Sequence, residues 1–181
     1  MSFPPYLRRS SSRLIACLLA FLCAGLLGTA PVHSQAGSGG TPTLSFDLAD
    51  QFGTRWRSGQ LTGKSLVLVL GSRAHAERMK PWSDSLQHAL AADTASVRWF
   101  MVADLRSVPS FMRRMASQRA PREAHRILLL DGEGTVASQL GADKKALTVI
   151  VLDRERHVKL RLTDVSPTRD QVRLVRDMVA R

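Results

Sequence analysis

Leu66-Val67-Leu68-Val69-Leu70-Gly71-Ser72-Arg73-Ala74-His75-Ala76-Glu77-Arg78 is the stretch that decides the fold. Its first five residues are apolar without alternation, the pattern of a strand buried on both faces. Gly71-Ser72-Arg73 breaks the run. Beyond the break, Met79, Trp82, Leu86 and Leu90 recur at helical spacing, which predicts a helix from about Ala74 to Ala92 with one apolar face. Pro81 lies inside it, and a kink is expected there. A second apolar strand follows, Val97 to Val102, ending at Asp104. Strand, helix and strand in this order make a parallel crossover.

Upstream, Leu44, Phe46 and Leu48 alternate with polar residues as in a half-buried strand. Asp50-Gln51-Phe52-Gly53 is a turn, with Arg55-Trp56-Arg57 as a short return strand. Downstream, Val108 to Ser117 reads as a helix with Phe111, Met112 and Met115 inward. Ile127 to Leu130 reads as a strand, and Asp131-Gly132-Glu133-Gly134 turns into a further strand, Thr135 to Leu140. Leu147 to Leu152 and His157 to Leu162 form a hairpin about Asp153-Arg154-Glu155-Arg156. Ser166 and Pro167 start a closing helix whose buried face is Val172, Val175, Met178 and Val179. Parallel crossovers combined with a terminal hairpin predict an α/β, three-layer fold: a central mixed β-sheet with helices on both faces. Residues 43–181 are long enough to bury such a core without disulfides.

The front of the chain reads differently. Residues 1–34 carry Arg8, Arg9 and Arg13, a short apolar run from Leu14 to Gly28, and small residues before Gln35. That is a signal peptide, with an uncleaved inner-membrane anchor as the alternative. The expected location is therefore periplasmic or secreted. Arg8-Arg9 lacks the apolar pair of a twin-arginine signal, and the apolar run before Cys17 is too short for a lipoprotein box. Residues 35–42 have the composition of a flexible linker. Cys17 and Cys23, the two cysteines of the chain, fall in the apolar run. The processed chain would then have no thiol, which excludes disulfide, thiol-nucleophile and cysteine-metal roles. The net charge of +11 becomes 23 − 15 = +8 on removal of the three leader arginines. A basic exported domain suits an anionic partner, such as a periplasmic protein or a small anion, and not nucleic acid; because the charges are scattered rather than massed, a solvated Arg-rich surface is the plainer reading. Membrane contact is expected only if the leader stays attached.

Four segments carry a resemblance. They are Phe46 to Gly53, with its D-x-x-G turn, Leu61-Thr62-Gly63-Lys64 before the central strand, Leu147 to Asp153, and Ser166-Pro167-Thr168 with Val172. In order and spacing they resemble the thioredoxin-like superfamily, in its peroxiredoxin/redoxin branch. The resemblance implies a thioredoxin-like domain over residues 43–181, and an ancestral site at the start of the helix after the central strand, where amides and dipole stabilise a thiolate. Here that start is Ser72-Arg73-Ala74-His75, without cysteine. Leu147 stands where the family has its cis-proline, and Arg156 where it often has glycine. The chain most resembles cysteine-less periplasmic members, which implies no thiol oxidoreductase or peroxidase activity and no cofactor.

Ser72, Arg73, His75 and Arg78, with Leu147 opposite, form a candidate ligand-binding rim suited to an anion; a solvated helix start is the plainer reading. The alternative is an exported enzyme with thiol-free chemistry at Ser72, His75 and Glu77, although the G-x-S-x-G frame is missing. Gly63-Lys64-Ser65 lacks the earlier glycine of a phosphate loop, since Ser58 stands there. His75, His88, His125 and His157 show no metal-ligand spacing, so no metal is expected. Arg113, Arg114, Arg119, Arg122 and Arg126, with His125, form the densest basic stretch. It would suit an acidic partner or lipid headgroups, or be a solvated surface.

Overall fold

In the computed structural model the described residues are 44–118, 120, 123 and 125–180. The leader and linker lie outside them. The chain opens with β1 (Asp47–Ala49) and β2 (Arg55–Arg57), paired antiparallel with Leu48 opposite Trp56. The turn between them is organised by Asp50. Its Oδ1 accepts the amides of Phe52 and Thr54, and its Oδ2 accepts the Trp56 indole N–H. Gly53, at φ +91, takes the left-handed position that other residues disfavour.

β3 (Ser65–Gly71) leads through a 3-10 turn, Arg73–His75, into α1 (Ala76–Ala89), which continues unbroken through Pro81. β4 (Val97–Asp104), α2 (Ser110–Gln118), β5 (Leu128–Asp131), α3 (Thr135–Gln139), β6 (Thr148–Leu152), β7 (Val158–Thr163) and α4 (Arg169–Val179) follow. The main sheet has the order β5-β4-β3-β6-β7. β3, β4 and β5 run parallel, while β6 and β7 are antiparallel to their neighbours.

Both faces of β3 are covered, which explains why its sequence does not alternate. Leu66, Leu68 and Leu70 pack with Phe100, Val102, Leu129 and Ile150 under Phe46, Val136, Ala137 and Leu140. Val67 and Val69 pack with Met101, Val149 and Val151 under Met79, Trp82 and Leu86 of α1 and Val175 and Val179 of α4. Trp56 meets Phe100 edge-on at 5.1 Å, and the Arg98 guanidinium lies 5.1 Å from the Trp56 ring centroid.

The closing helix is capped by Thr168, whose hydroxyl accepts the Gln171 amide, rather than by Ser166, and two larger expectations fail. Thr135 to Leu140 is not a strand: Asp131 is fully buried, and its carboxylate accepts the amides of Thr135, Val136 and Ala137, which starts α3. A side chain that satisfies three amides at once fixes a helical turn that apolar content alone does not reveal. Second, Phe111, Met112 and Met115 do not point into the core. They are 79%, 40% and 47% exposed, so α2 carries an apolar face that the core leaves uncovered.

The ends of β4 and β5 are braced by a second acid. Asp104 is buried and takes three guanidinium contacts from Arg106, two from Nε at 3.0 Å and one from Nη2 at 2.7 Å. Burial pushes the Asp104 carboxyl pKa up, but the hydrogen bonds and charge of Arg106 outweigh it and hold the pKa below the ordinary value. A folded pKa held below the unfolded one gives stability that is complete above about pH 4 and drains as pH falls through the folded value. Acid unfolding followed by circular dichroism should therefore show a falling limb below about pH 4 that is shallower in Asp104→Asn. An unchanged limb would remove Asp104 from the acid response.

Candidate functional site

The parallel strands β3, β4 and β5 end together, and beside those ends lies a cleft of about 370 Å³. In open α/β sheets this is where ligands bind, because the strand ends leave a crevice between the helices that follow them. Gly71, Met101, Ala103, Leu128 and Leu130 of the strands contribute to its lining. One side is built by Ser72, Arg73, Ala76, Glu77, Met79 and Lys80, and another by Leu105, Val108, Met112 and Met115. Four of the six methionines of the chain thus line one space. Methionine is unbranched and polarisable and adapts to irregular apolar partners.

Gly71 lets the strand end in a tight space. A Cβ there would come within 3.0 Å of both the His75 Cβ and the Met79 Sδ, and 3.3 Å of a Leu147 methyl. A side chain at this strand end would push His75, Met79 and Leu147 by a few tenths of an ångström.

The predicted rim residues separate. Ser72 and Arg73 line the cleft. Arg73 is exposed and makes no ion pair or hydrogen bond. Glu77 and Lys80 also line it, but they pair with each other at 2.9 Å, and Arg126 pairs with Asp84 and Glu123, each at 2.5 Å. Among the described residues of the lining, Arg73 therefore carries the uncompensated charge.

His75 is not on the rim. It is 7% exposed, and both ring nitrogens are engaged. The Ser72 backbone N–H donates to Nδ1 at 3.2 Å, and Nε2 lies 3.2 Å from the Lys145 carbonyl oxygen. An amide can only donate and a carbonyl can only accept, so the proton of the ring sits on Nε2. The Ser72 hydroxyl oxygen is 3.1 Å from the same Nδ1. Arg78 does not line the cleft either. It donates to Asp164 at 3.0 Å, and that carboxylate also accepts the Leu147 amide at 3.1 Å. The Leu147 amide first, and then Arg78, hold the Asp164 carboxyl pKa below its usual value. Leu147 itself is 1% exposed and belongs to the core, so it offers no surface to a ligand. The positions beside the central strand thus split into a cleft wall, Ser72 and Arg73, a buried pair, His75 and Leu147, and an exposed arginine, Arg78, tied to Asp164.

The basic stretch is partly engaged. Arg113 bonds the Val108 carbonyl and Glu133, and His125 lies 3.5 Å from Glu123. Arg119 and Arg122 lie outside the described residues. At the turn between β6 and β7, Asp153, Glu155 and His157 bring one potential ligand atom each within 4.8 Å of the others. Sequence spacing gave no hint of this grouping. One Asp153 oxygen is already occupied by the amides of Glu155 and His157, which makes the carboxylate a turn-former.

No protein-family model matches the chain, and no curated protein matches it. Solved structures do. The pneumococcal exposed lipoprotein thioredoxin Etrx1 from Streptococcus pneumoniae superimposes with a TM-score of 0.59 at 14% identity, over 74% of this chain and 98% of that one. StoA from Bacillus subtilis gives 0.55 at 12% identity, over 76% and 98%. Copper-bound ScoI from Arabidopsis thaliana gives 0.55 at 11%, also over 76% and 98%. At these identities the likeness is one of architecture, and it agrees with the layers and strand order described above: the chain has a thioredoxin-like fold.

Proposed function

We propose that this protein is an exported, redox-inactive binding module of the thioredoxin-like fold, which holds a ligand in the cleft beside the ends of β3, β4 and β5. One observation carries the reading. Where the resemblance puts the family's reactive thiol, this chain has a mostly apolar cleft in which Arg73 is the cation without an ion pair among the described lining residues, and the sulfur there is thioether, which is not a thiol nucleophile. The resemblance to the cysteine-less redoxin branch points the same way. The leader of residues 1–34 supports an extracytoplasmic location, and none of the described helices is long and apolar enough to cross a membrane.

The measurement is a thermal-shift screen of the processed protein against small anions, amphiphiles and envelope extract, with insulin reduction and peroxide turnover alongside. A saturable rise in unfolding temperature without turnover is expected. Turnover above the protein-free control would refute the redox-inactive reading. A second reading, a thiol-free enzyme, rests on the Ser72 hydroxyl lying 3.1 Å from His75. It is disfavoured because Nδ1 already accepts an amide and the third group is a peptide carbonyl rather than a carboxylate.

A further inference from the structure

We infer that the ligand of the cleft is an unbranched acyl carboxylate of medium length, its chain laid on the methionine walls and its head at Arg73. The inference rests on the binding-module reading and gives it a ligand class.

The walls argue for an acyl chain. Met101, Ala103, Leu128 and Leu130 offer no polar side-chain atom. A peptide lying there would bring amides and carbonyls that this surface cannot satisfy, at a cost of about 1–3 kcal/mol for each. Polymethylene has no such groups. Met79 and Met101 are buried at 4% and 7% exposure, whereas Met112 and Met115 of α2 are half-exposed across the cleft, so a slender chain between them would complete their burial. At roughly 30 Å³ for a water-sized group, a cleft of about 370 Å³ has room for an acyl chain of medium length, and dodecanoate serves as the probe. The head group follows from charge. Glu77 cancels Lys80, and Arg126 is occupied by Asp84 and Glu123. Among the described lining residues that leaves Arg73, whose planar guanidinium matches a carboxylate.

The experiment is calorimetric titration, without detergent, of protein expressed from the full sequence and processed by its host. The titrants are dodecanoate, dodecanol and butyrate. Dodecanoate should bind saturably at one site per chain and butyrate should not. Arg73→Gln should weaken dodecanoate about tenfold and leave dodecanol unchanged, the loss expected of one charged contact. Arg154→Gln, which removes an exposed charge on the β6–β7 turn, should change neither. Ala103→Phe should fill the cleft and abolish binding of both long chains, with cooperative unfolding retained. Equal effects of Arg73→Gln and Arg154→Gln would overturn the head-group assignment. Absence of dodecanoate and dodecanol binding, with a thermal shift from another ligand class that Ala103→Phe removes, would overturn the acyl inference and leave the binding module standing. Absence of every ligand response, with Ala103→Phe simply raising the unfolding temperature, would overturn both.

Discussion

Arg156→Ala should lower the stability of this protein by about 3 kcal/mol, which is roughly 10 °C in unfolding temperature for a domain of this size. Arg156 is buried and sits at φ +73, a conformation that L-residues other than asparagine and aspartate seldom adopt. Its guanidinium donates to the carbonyls of Lys64 at 2.7 Å and Asp153 at 3.3 Å, and to that of Leu61. The first and last of these belong to the segment entering β3, so one side chain ties the β6–β7 turn to the start of the central strand. Burial pushes the guanidinium pKa down, against the opposing pull of Asp153 and Glu155, yet five N–H groups on a planar frame make it the side chain best suited to bridge separate carbonyls. Truncation leaves the Lys64 carbonyl without that donor while keeping the backbone strain. Arg156→Gly removes the same hydrogen bonds but relieves the strain, and should be milder than the alanine variant by about 1 kcal/mol. Chemical denaturation of the three proteins gives the ordering. Alanine and glycine variants of equal stability would show that the left-handed backbone is not strained, and a neutral alanine variant would show that the buried hydrogen bonds contribute nothing net.

What the sequence made legible divides along the same physical line. Apolar runs and helical stripes report burial against many neighbours, so β3, β4, β6, α1 and α4 could be read from their own residues. The D-x-x-G turn was legible too, because an aspartate that accepts its own downstream amides is a local device. Features that depend on one distant partner were not. Thr135 to Leu140 has strand-like content, and its helix is decided by the buried Asp131 carboxylate. The α2 methionines look like core residues at helical spacing, but nothing in the spacing says whether the facing surface is filled or open. For the site, the helix start and Arg73 were visible in the sequence; the cleft was not, since it is made by residues drawn from three strands and two helical segments. His75 was visible as a polar residue at the helix start, but its inward direction goes with the Lys145 carbonyl, 70 positions away.

That inward direction separates the two functional readings at a single residue. Removing the ring in His75→Ala leaves the Ser72 amide and the Lys145 carbonyl without their partner and opens a small void beneath α1. The expected cost is about 2–4 kcal/mol. The Ser72–Arg73 wall is held in place by that ring, so ligand affinity should fall modestly while saturable binding persists. His75→Asn keeps an acceptor near the Nδ1 position and should recover part of the stability. A histidine acting as a general base would give the opposite pattern: little change in unfolding temperature, complete loss of turnover, and no rescue by asparagine, which cannot take up a proton. The Ser72 hydroxyl supplies an independent readout. A serine-directed fluorophosphonate should leave wild-type protein unlabelled, because the Nδ1 lone pair next to that hydroxyl is shared with the Ser72 amide. Stoichiometric labelling of Ser72, lost in His75→Ala, would identify this helix start as a nucleophilic site and would make the cleft beside it the place where an acyl substrate lies.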